Sequence, residues 1–207
     1  MARDSTKILS FLEHHLDEYL TDLRTLTPEA RARRLAWVPQ RSALCAGLDV
    51  AAVVGFGRWC RTPGRLDAAD RAAVAAALAD VDAGHLAARR FTELSCGEQQ
   101  RVLVARALAT GATAILLDEP VASLDLGHAL DLLVLLRALA RAGRTIVVVL
   151  HQLALLECAA DRAVLLDAGR VAAAGAPDAV LTDPALTRAF GIAPLPRQAT
   201  GFMRVRG

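Results

Sequence analysis

The sequence predicts an α/β fold with a mostly parallel sheet and an inserted helical lobe. In the second half of the chain, short apolar runs that end in polar residues alternate with helical patterns, as they do in strand–helix units around a parallel sheet. Residues from about 46 to 95 are instead Ala-rich and helical, which predicts the lobe. A chain of 207 residues is long enough for one domain with such an insertion.

Composition excludes several classes of protein. The formal charge is +2, from 24 basic and 22 acidic residues, so no overall field would draw the chain onto nucleic acid or lipid. The apolar runs are too short to span a bilayer, and the first residues do not resemble a secretory signal. The four cysteines form no Cys-x-x-Cys pair, unlike a zinc site or a dense disulfide framework. We therefore expect a cytoplasmic protein.

The elements of the first half follow from residue spacing. Apolar residues at helical intervals predict an atypical amphipathic helix over residues 1–20, whose partner surface the sequence does not indicate. The apolar run over residues 35–38, closed by Pro39, predicts a strand that delivers Gln40 to a loop. Within the lobe, residues 67–79 form the clearest predicted helix.

The second half alternates between predicted helices and strands. The helices span residues 98–109 and 127–142, and the strands span residues 114–117 and 145–150. Both strands end on polar residues, at the sheet edge where ligands bind in open α/β folds. Residues 163–174 predict a hairpin appended to the sheet, and residues 194–207 predict a loose C-terminal tail.

The segment over residues 94–101 has two interpretations. Ser95, followed three residues later by Glu98, forms a capping box, which satisfies free amides at a helix start and needs no ligand. The same helix start would offer donors and a positive dipole end to a phosphate. The capping box explains Ser95 and Glu98, but it does not explain Gly97 or Gln99.

Several segments resemble, in the family's order, the motifs of ABC ATPases. Residues 94–101 resemble the signature motif, usually Leu-Ser-Gly-Gly-Gln/Glu, and residues 115–120 resemble the Walker B strand with its two carboxylates. Residues 123–125 (Ser-Leu-Asp) resemble the D-loop, His151 the switch histidine, and Gln40 the Q-loop glutamine. This conjunction is far more specific than any one motif.

The resemblance implies a P-loop NTPase-like ABC ATPase domain over residues 21–193 that uses ATP and Mg²⁺. Asp118 would hold Mg²⁺ through water, Glu119 would polarise the attacking water, and His151 would sense the γ-phosphate. Gln40 would touch the metal and link the site to the lobe and the membrane partner. The residues implied to bind nucleotide in the signature and D-loop are Ser95, Cys96, Gly97, Glu98, Gln99 and Asp125.

The pattern departs from the family at the phosphate-binding loop. That loop should read Gly-x-x-x-x-Gly-Lys-Ser/Thr, but the single lysine of this sequence is Lys7, and no glycine precedes Gly47. We therefore expect the N-terminal strand and loop to be missing or replaced, and ATP binding to be impaired. Cys96 also stands where the signature has its first glycine, and Gln152 where this branch usually has Asp.

Three hypotheses for function remain open. The first is an ATPase subunit of an importer for an iron-siderophore, haem or cobalamin, bound to permease subunits at the inner face of the membrane. Under this hypothesis the true phosphate-binding loop is encoded upstream of the given sequence. Residues 53–58, 85–90 and 125–128 point to that branch. The second is a non-hydrolytic module that docks on a permease or pairs with an intact ATPase. The third, an ABC ATPase acting on DNA, is disfavoured by the short lobe and the absence of a basic stripe.

A homodimer or a pair with another ABC ATPase is expected.

Overall fold

The computed structural model describes residues 25–40, 47–62, 64–182 and 184–190. The predicted N-terminal helix over residues 1–20 and the C-terminal tail over residues 194–207 lie outside these ranges. The chain divides into two compact units. The larger comprises the described residues from 26 to 151, and the smaller comprises the described residues from 152 to 190.

A three-stranded parallel sheet forms the centre of the larger unit, in the order β1-β2-β3. Its strands are β1 (Leu35–Val38), β2 (Ala114–Asp118) and β3 (Thr145–Val149). The first four residues of β2 are buried, as expected for a central strand covered on both faces. The predicted α/β architecture with a parallel sheet is therefore confirmed.

Five helices of the larger unit begin behind a side chain that accepts a hydrogen bond from the amide three residues later. The helices are α1 (Pro28–Arg34), α2 (Val50–Gly55), α3 (Ala68–Asp80), α4 (Cys96–Ala109) and α5 (Leu126–Arg141). The caps are Thr27, Asp49, Asp67, Ser95 and Asp125. Such caps satisfy amides that have no partner within the helix. The helix predicted from residue 98 begins at Cys96 because Ser95 is its cap.

The stretch predicted as a helical lobe contains α2, α3 and three short 3₁₀ turns, Phe56–Arg58, Gly84–Leu86 and Phe91–Glu93. Gly57 lies so close to α4 that an added Cβ would stand 2.2 Å from the carbonyl oxygen of Arg106. This close approach explains why a residue without a side chain is needed there.

Arginines tie the lobe to the C-terminal end of α4. The Arg58 guanidinium donates to the buried Asp70 carboxylate at 2.8 Å and to the carbonyl of Ala109 at 2.9 Å. Arg61 donates to the carbonyl of Thr110 at 2.6 Å. The hydrogen bond from Arg58 holds the pKa of Asp70 below its ordinary value. These bonds satisfy carbonyls that a helix end leaves without partners.

The smaller unit contains a hairpin and short helices. Its elements are a 3₁₀ turn (Leu153–Leu155), α6 (Leu156–Ala159), β4 (Ala163–Asp167), β5 (Arg170–Gly175), α7 (Pro177–Thr182) and α8 (Pro184–Phe190). The prediction that the hairpin extends the parallel sheet is wrong: β4 and β5 form their own two-stranded antiparallel sheet. Its inner face instead contributes to a separate small core with Val180 and Leu186.

Replacing Gly57 with alanine should destabilise the protein by about 1–3 kcal/mol, because the new methyl group would overlap the backbone of α4. The measurement is urea unfolding followed by circular dichroism. Gly84→Ala is the matched control, since nothing lies within 4 Å of a Cβ there and its expected effect is within about 0.5 kcal/mol. Equal effects of the two substitutions would contradict this account of Gly57.

Asp70→Asn should lower the urea concentration at the midpoint of unfolding at pH 7, because it removes the negative charge that pairs with Arg58. The pKa of Asp70 is depressed in the folded state, so its contribution is complete above the unfolded-state value of about 4 and is lost as pH falls below it. Unfolding curves of both proteins should therefore converge on acidification. The exposed Asp80→Asn control should show no such pH-dependent difference, and a constant gap for Asp70→Asn down to pH 3 would refute the linkage.

Candidate functional site

Polar residues gather at the carboxyl ends of β2 and β3. Asp118 ends β2 and pairs in register with Val149, the last residue of β3. The Glu119 amide donates to the Val149 carbonyl at 3.2 Å, so the ladder extends one residue beyond β2. His151 follows β3 by two residues. This edge of a parallel sheet is the usual position of ligand sites in open α/β folds.

The Glu119 carboxylate contacts the two other residues that the sequence predicted as catalytic, Gln40 and His151. Gln40 Nε2 donates to Glu119 Oε2 at 2.6 Å, and His151 Nε2 lies 2.7 Å from Glu119 Oε1. An ionised carboxylate only accepts hydrogen bonds, so this contact needs the proton on His151 Nε2. Both carboxylate oxygens are therefore engaged, by residues from two different loops.

Glu119 has an unusual backbone conformation. Its φ of 47° lies in the left-handed region, which a residue with a side chain rarely adopts. Strain of this kind persists only where the surroundings hold it, and it concentrates at functional sites. The Glu119 side chain is 22% exposed and that of His151 is 68% exposed, so the cluster is open to solvent on the histidine side.

The second predicted group lies at the start of α4. Ser95 Oγ accepts from the Glu98 amide at 3.3 Å, while Glu98 Oε2 accepts from the Ser95 amide at 2.8 Å and from its hydroxyl at 2.9 Å. These bonds from Ser95 lower the pKa of Glu98, with a smaller effect from Arg89. The capping interpretation of this segment is thus realised. Cys96 is exposed beside it.

The Gln99 side chain points back toward the turn that precedes α4. Its Nε2 donates to the carbonyl of Leu94 at 3.1 Å and to that of Phe91 at 3.3 Å. In this structure the amide therefore holds the turn in place. The nucleotide-binding role of Gln99 stays a prediction.

Gly97 and Asp125 are brought together by a residue outside the predicted set, His128. His128 Nδ1 lies 2.6 Å from Asp125 Oδ2, and its amide donates to Asp125 Oδ1 at 2.9 Å. The same ring covers Gly97, since a Cβ there would stand 3.1 Å from His128 Cδ2. The two His128 hydrogen bonds lower the pKa of Asp125, the backbone bond most. The signal that could have indicated this contact is the Asp-x-x-His spacing at a helix start.

Comparison with known proteins decides the family. The sequence profile described as "ABC transporter" matches residues 7–122, more than half of the chain. The chain belongs to the ABC transporter family. It is 45% identical over 179 residues to the hemin import ATP-binding protein of Rhodococcus jostii, and 44% identical over 176 residues to that of Pseudomonas entomophila. These matches cover 86% and 83% of this ABC chain, and 60% and 68% of the relatives.

Further similarities agree with this assignment. The cobalamin import ATP-binding protein of Halobacterium salinarum is 42% identical over 170 residues, which is 82% of this ABC chain and 43% of the relative. The structure of a metal-chelate type ABC transporter in an inward-facing conformation is 32% identical, with a TM-score of 0.72 over 77% of this chain and 64% of that one. The chain spans 60% and 57% of the lengths of the two hemin import relatives from Rhodococcus jostii and Nocardia farcinica.

Ser95→Ala should destabilise the ABC domain by about 1 kcal/mol, because α4 loses its cap. It should also raise the pKa of Glu98 toward the ordinary value, since one of the bonds that stabilise the carboxylate disappears. Thermal unfolding and an NMR titration of the Glu98 side chain measure the two effects. Ser95→Thr keeps the hydroxyl and should preserve both properties, so a loss as large as that of the alanine variant would argue against the cap.

Proposed function

We propose that this chain is the ATP-binding and ATP-hydrolysing part of an ABC importer for an iron-siderophore, haem or cobalamin type of substrate. The observation that carries the proposal is the Glu119 carboxylate, held at the sheet edge by Gln40 and His151. The names of the relatives, hemin and cobalamin import ATP-binding proteins, support the substrate class.

The proposed chemistry is phosphoryl transfer to water. Glu119 is the carboxylate that orients the attacking water, and a positioned base of this kind contributes typically about 10²–10⁴-fold to a rate. His151 holds one carboxylate oxygen and offers its ring to the terminal phosphate. Gln40 holds the other oxygen and connects the site to the lobe.

The residues of this chain could contact the Mg²⁺ ion of Mg-ATP. Mg²⁺ binds through one or two carboxylates together with phosphate oxygens and waters, and Asp118 is placed at the strand end to serve as such a carboxylate. Bound Mg²⁺ would neutralise charge on the transferring phosphoryl group. The fit does not extend to the phosphate cradle, because the 207 residues contain no Gly-x-x-x-x-Gly-Lys-Ser/Thr segment.

The proposed site is completed by a second ATP-binding subunit. In this arrangement the helix start formed by Ser95, Cys96, Gly97 and Glu98 faces the nucleotide of the partner subunit, together with Gln99 and Asp125. The amides and the dipole at the start of α4 suit an anionic phosphate. The subunit would be a second copy of this chain or another ABC ATPase.

We place the protein in the cytoplasm, at the inner face of the cell membrane, where it would bind integral-membrane permease subunits. This placement rests on the relatives' naming as ATP-binding proteins of import systems. Among the described residues, none of the helices combines the length and apolar character needed to cross a membrane.

Glu119→Gln should lower the rate of ATP hydrolysis about a hundredfold or more while leaving Mg-ATP binding unchanged, because the amide is neither a base nor an anion. Hydrolysis is measured as phosphate release and binding by calorimetry. The exposed Glu93→Gln is the matched control and should retain full activity. Hydrolysis that persists in Glu119→Gln would refute the role of Glu119.

A second candidate is favoured by the missing phosphate-loop segment: a non-hydrolytic module that docks on a permease or on an intact ABC ATPase. This candidate predicts that the folded 207-residue chain does not bind Mg-ATP. Co-purification with an intact ATPase subunit, lost on Gly97→Arg, would then support the second. Failure to pair with any ATPase or permease would count against it.

A further inference from the structure

The side chain of His128 is fixed by two contacts with the same carboxylate. His128 Nδ1 lies 2.6 Å from Asp125 Oδ2, and an ionised carboxylate only accepts, so the proton of this contact is on Nδ1. The His128 amide donates to Asp125 Oδ1 at 2.9 Å. Capping of α5 needs only the amide bond. The contact with Nδ1 is additional, and it sets the orientation of the imidazole ring.

The oriented ring lies against the first turn of α4. A Cβ at position 97 would stand 3.1 Å from His128 Cδ2 and 3.5 Å from its Cγ, closer than an ordinary van der Waals contact. Gly97 lies within the helix, where glycine is disfavoured and where the backbone conformation does not require it. The His128 ring therefore gives a structural reason for the missing side chain at position 97.

The start of α4 is a fixed surface for the ring to pack on. The capping box of Ser95 and Glu98 closes the first turn of the helix, and Gln99 binds the carbonyls of the turn before it. Because Gly97 lies between these residues, contact with the ring fixes the distance from α4 to the loop that ends at Asp125.

The contribution of this pair to global stability should be small. The His128 and Asp125 side chains are 60% and 68% exposed, and exposed pairs of this kind stabilise a fold little. The buried pair of Arg58 and Asp70 is the opposite case. A local role, in holding two segments of the candidate site together, accounts for the His128 contacts better than a role in overall stability.

We propose that His128 is a positioning residue of the candidate nucleotide site. Held by Asp125, its ring packs on Gly97 and joins the Asp125 loop to the start of α4, so the two segments that would face a partner subunit's nucleotide move as one. His128 acts through these two residues and does not itself touch the nucleotide. The role in catalysis rests on the proposed function, whereas the joining of the two segments requires no nucleotide.

The first test is the NMR signal of Gly97 in protein labelled at glycine, assigned by its absence in Gly97→Ala. An aromatic ring so close displaces this signal, and His128→Ala should abolish the displacement. Asp125→Ser should lose most of it although the ring is present, because serine still caps α5 but is too short to hold Nδ1. Asp125→Asn should restore it, since the amide can donate to the other tautomer of the ring.

The second test is a double-mutant cycle of Gly97→Ala and His128→Ala, measured by urea unfolding. The added methyl group meets the ring only when His128 is present. The effect of Gly97→Ala on the unfolding equilibrium constant should therefore differ about threefold or more between the two backgrounds. Arg141→Gln, an exposed substitution on α5, is the control and should behave additively with Gly97→Ala.

The third test separates positioning from a purely structural role by steady-state hydrolysis of ATP. His128→Ala should lower kcat about tenfold and leave KM within about twofold, because misplaced groups reduce the rate of reaction more than they reduce substrate binding. Asp125→Asn should retain most of the wild-type kcat, and Arg141→Gln should retain all of it. Circular dichroism verifies that each variant is folded.

Each test has an outcome that would overturn the proposal. An unchanged Gly97 signal in Asp125→Ser would show that Asp125 does not hold the ring, and an additive cycle would show that ring and glycine are not in contact. An unchanged kcat in His128→Ala, with active wild-type protein, would reduce the pair to a helix cap. If the wild-type protein hydrolyses no ATP, the proposed function fails, while the first two tests still decide whether His128 joins the two segments.

Discussion

The candidate site depends on the parallel pairing of β2 between β1 and β3. Parallel strands bring their carboxyl ends to the same edge, and here the pairing of Asp118 with Val149 fixes the height of that edge. A shift of one residue would turn every side chain of β2 to the opposite face. Because β2 is buried on both faces, burial of its apolar residues fixes its register with β3. This register places Asp118 and Glu119 at the carboxyl edge of the sheet.

The Glu119 contacts show how local strain and long-range pairing support each other. The left-handed backbone of Glu119 costs on the order of 1–3 kcal/mol, and it is held by the amide bond to Val149 and by contacts to both carboxylate oxygens. Gln40 and His151 reach this carboxylate only because β1 and β3 flank β2. The same contacts keep the carboxylate in one orientation, which a residue that positions water requires.

The lobe is joined to the sheet through the end of α4. Arg58 and Arg61 bind carbonyls at that end, and Arg144 donates to the carbonyl of Ala112 just before β2, at 2.7 Å. The lobe, the signature-like helix and the strand that carries Glu119 therefore share one connection.

The parallel α/β class, the cap of α4 and the family resemblance could be predicted from the sequence, because they depend on periodicity, capping residues and short motifs. The sequence also selected Gln40, Glu119 and His151 as candidates, but their mutual distances depend on strand order. Folding, in contrast, decides that the His128 ring covers Gly97 and that Gln40 and His151 both contact the Glu119 carboxylate. Such contacts join residues far apart in the chain, and no local pattern encodes packing between distant segments.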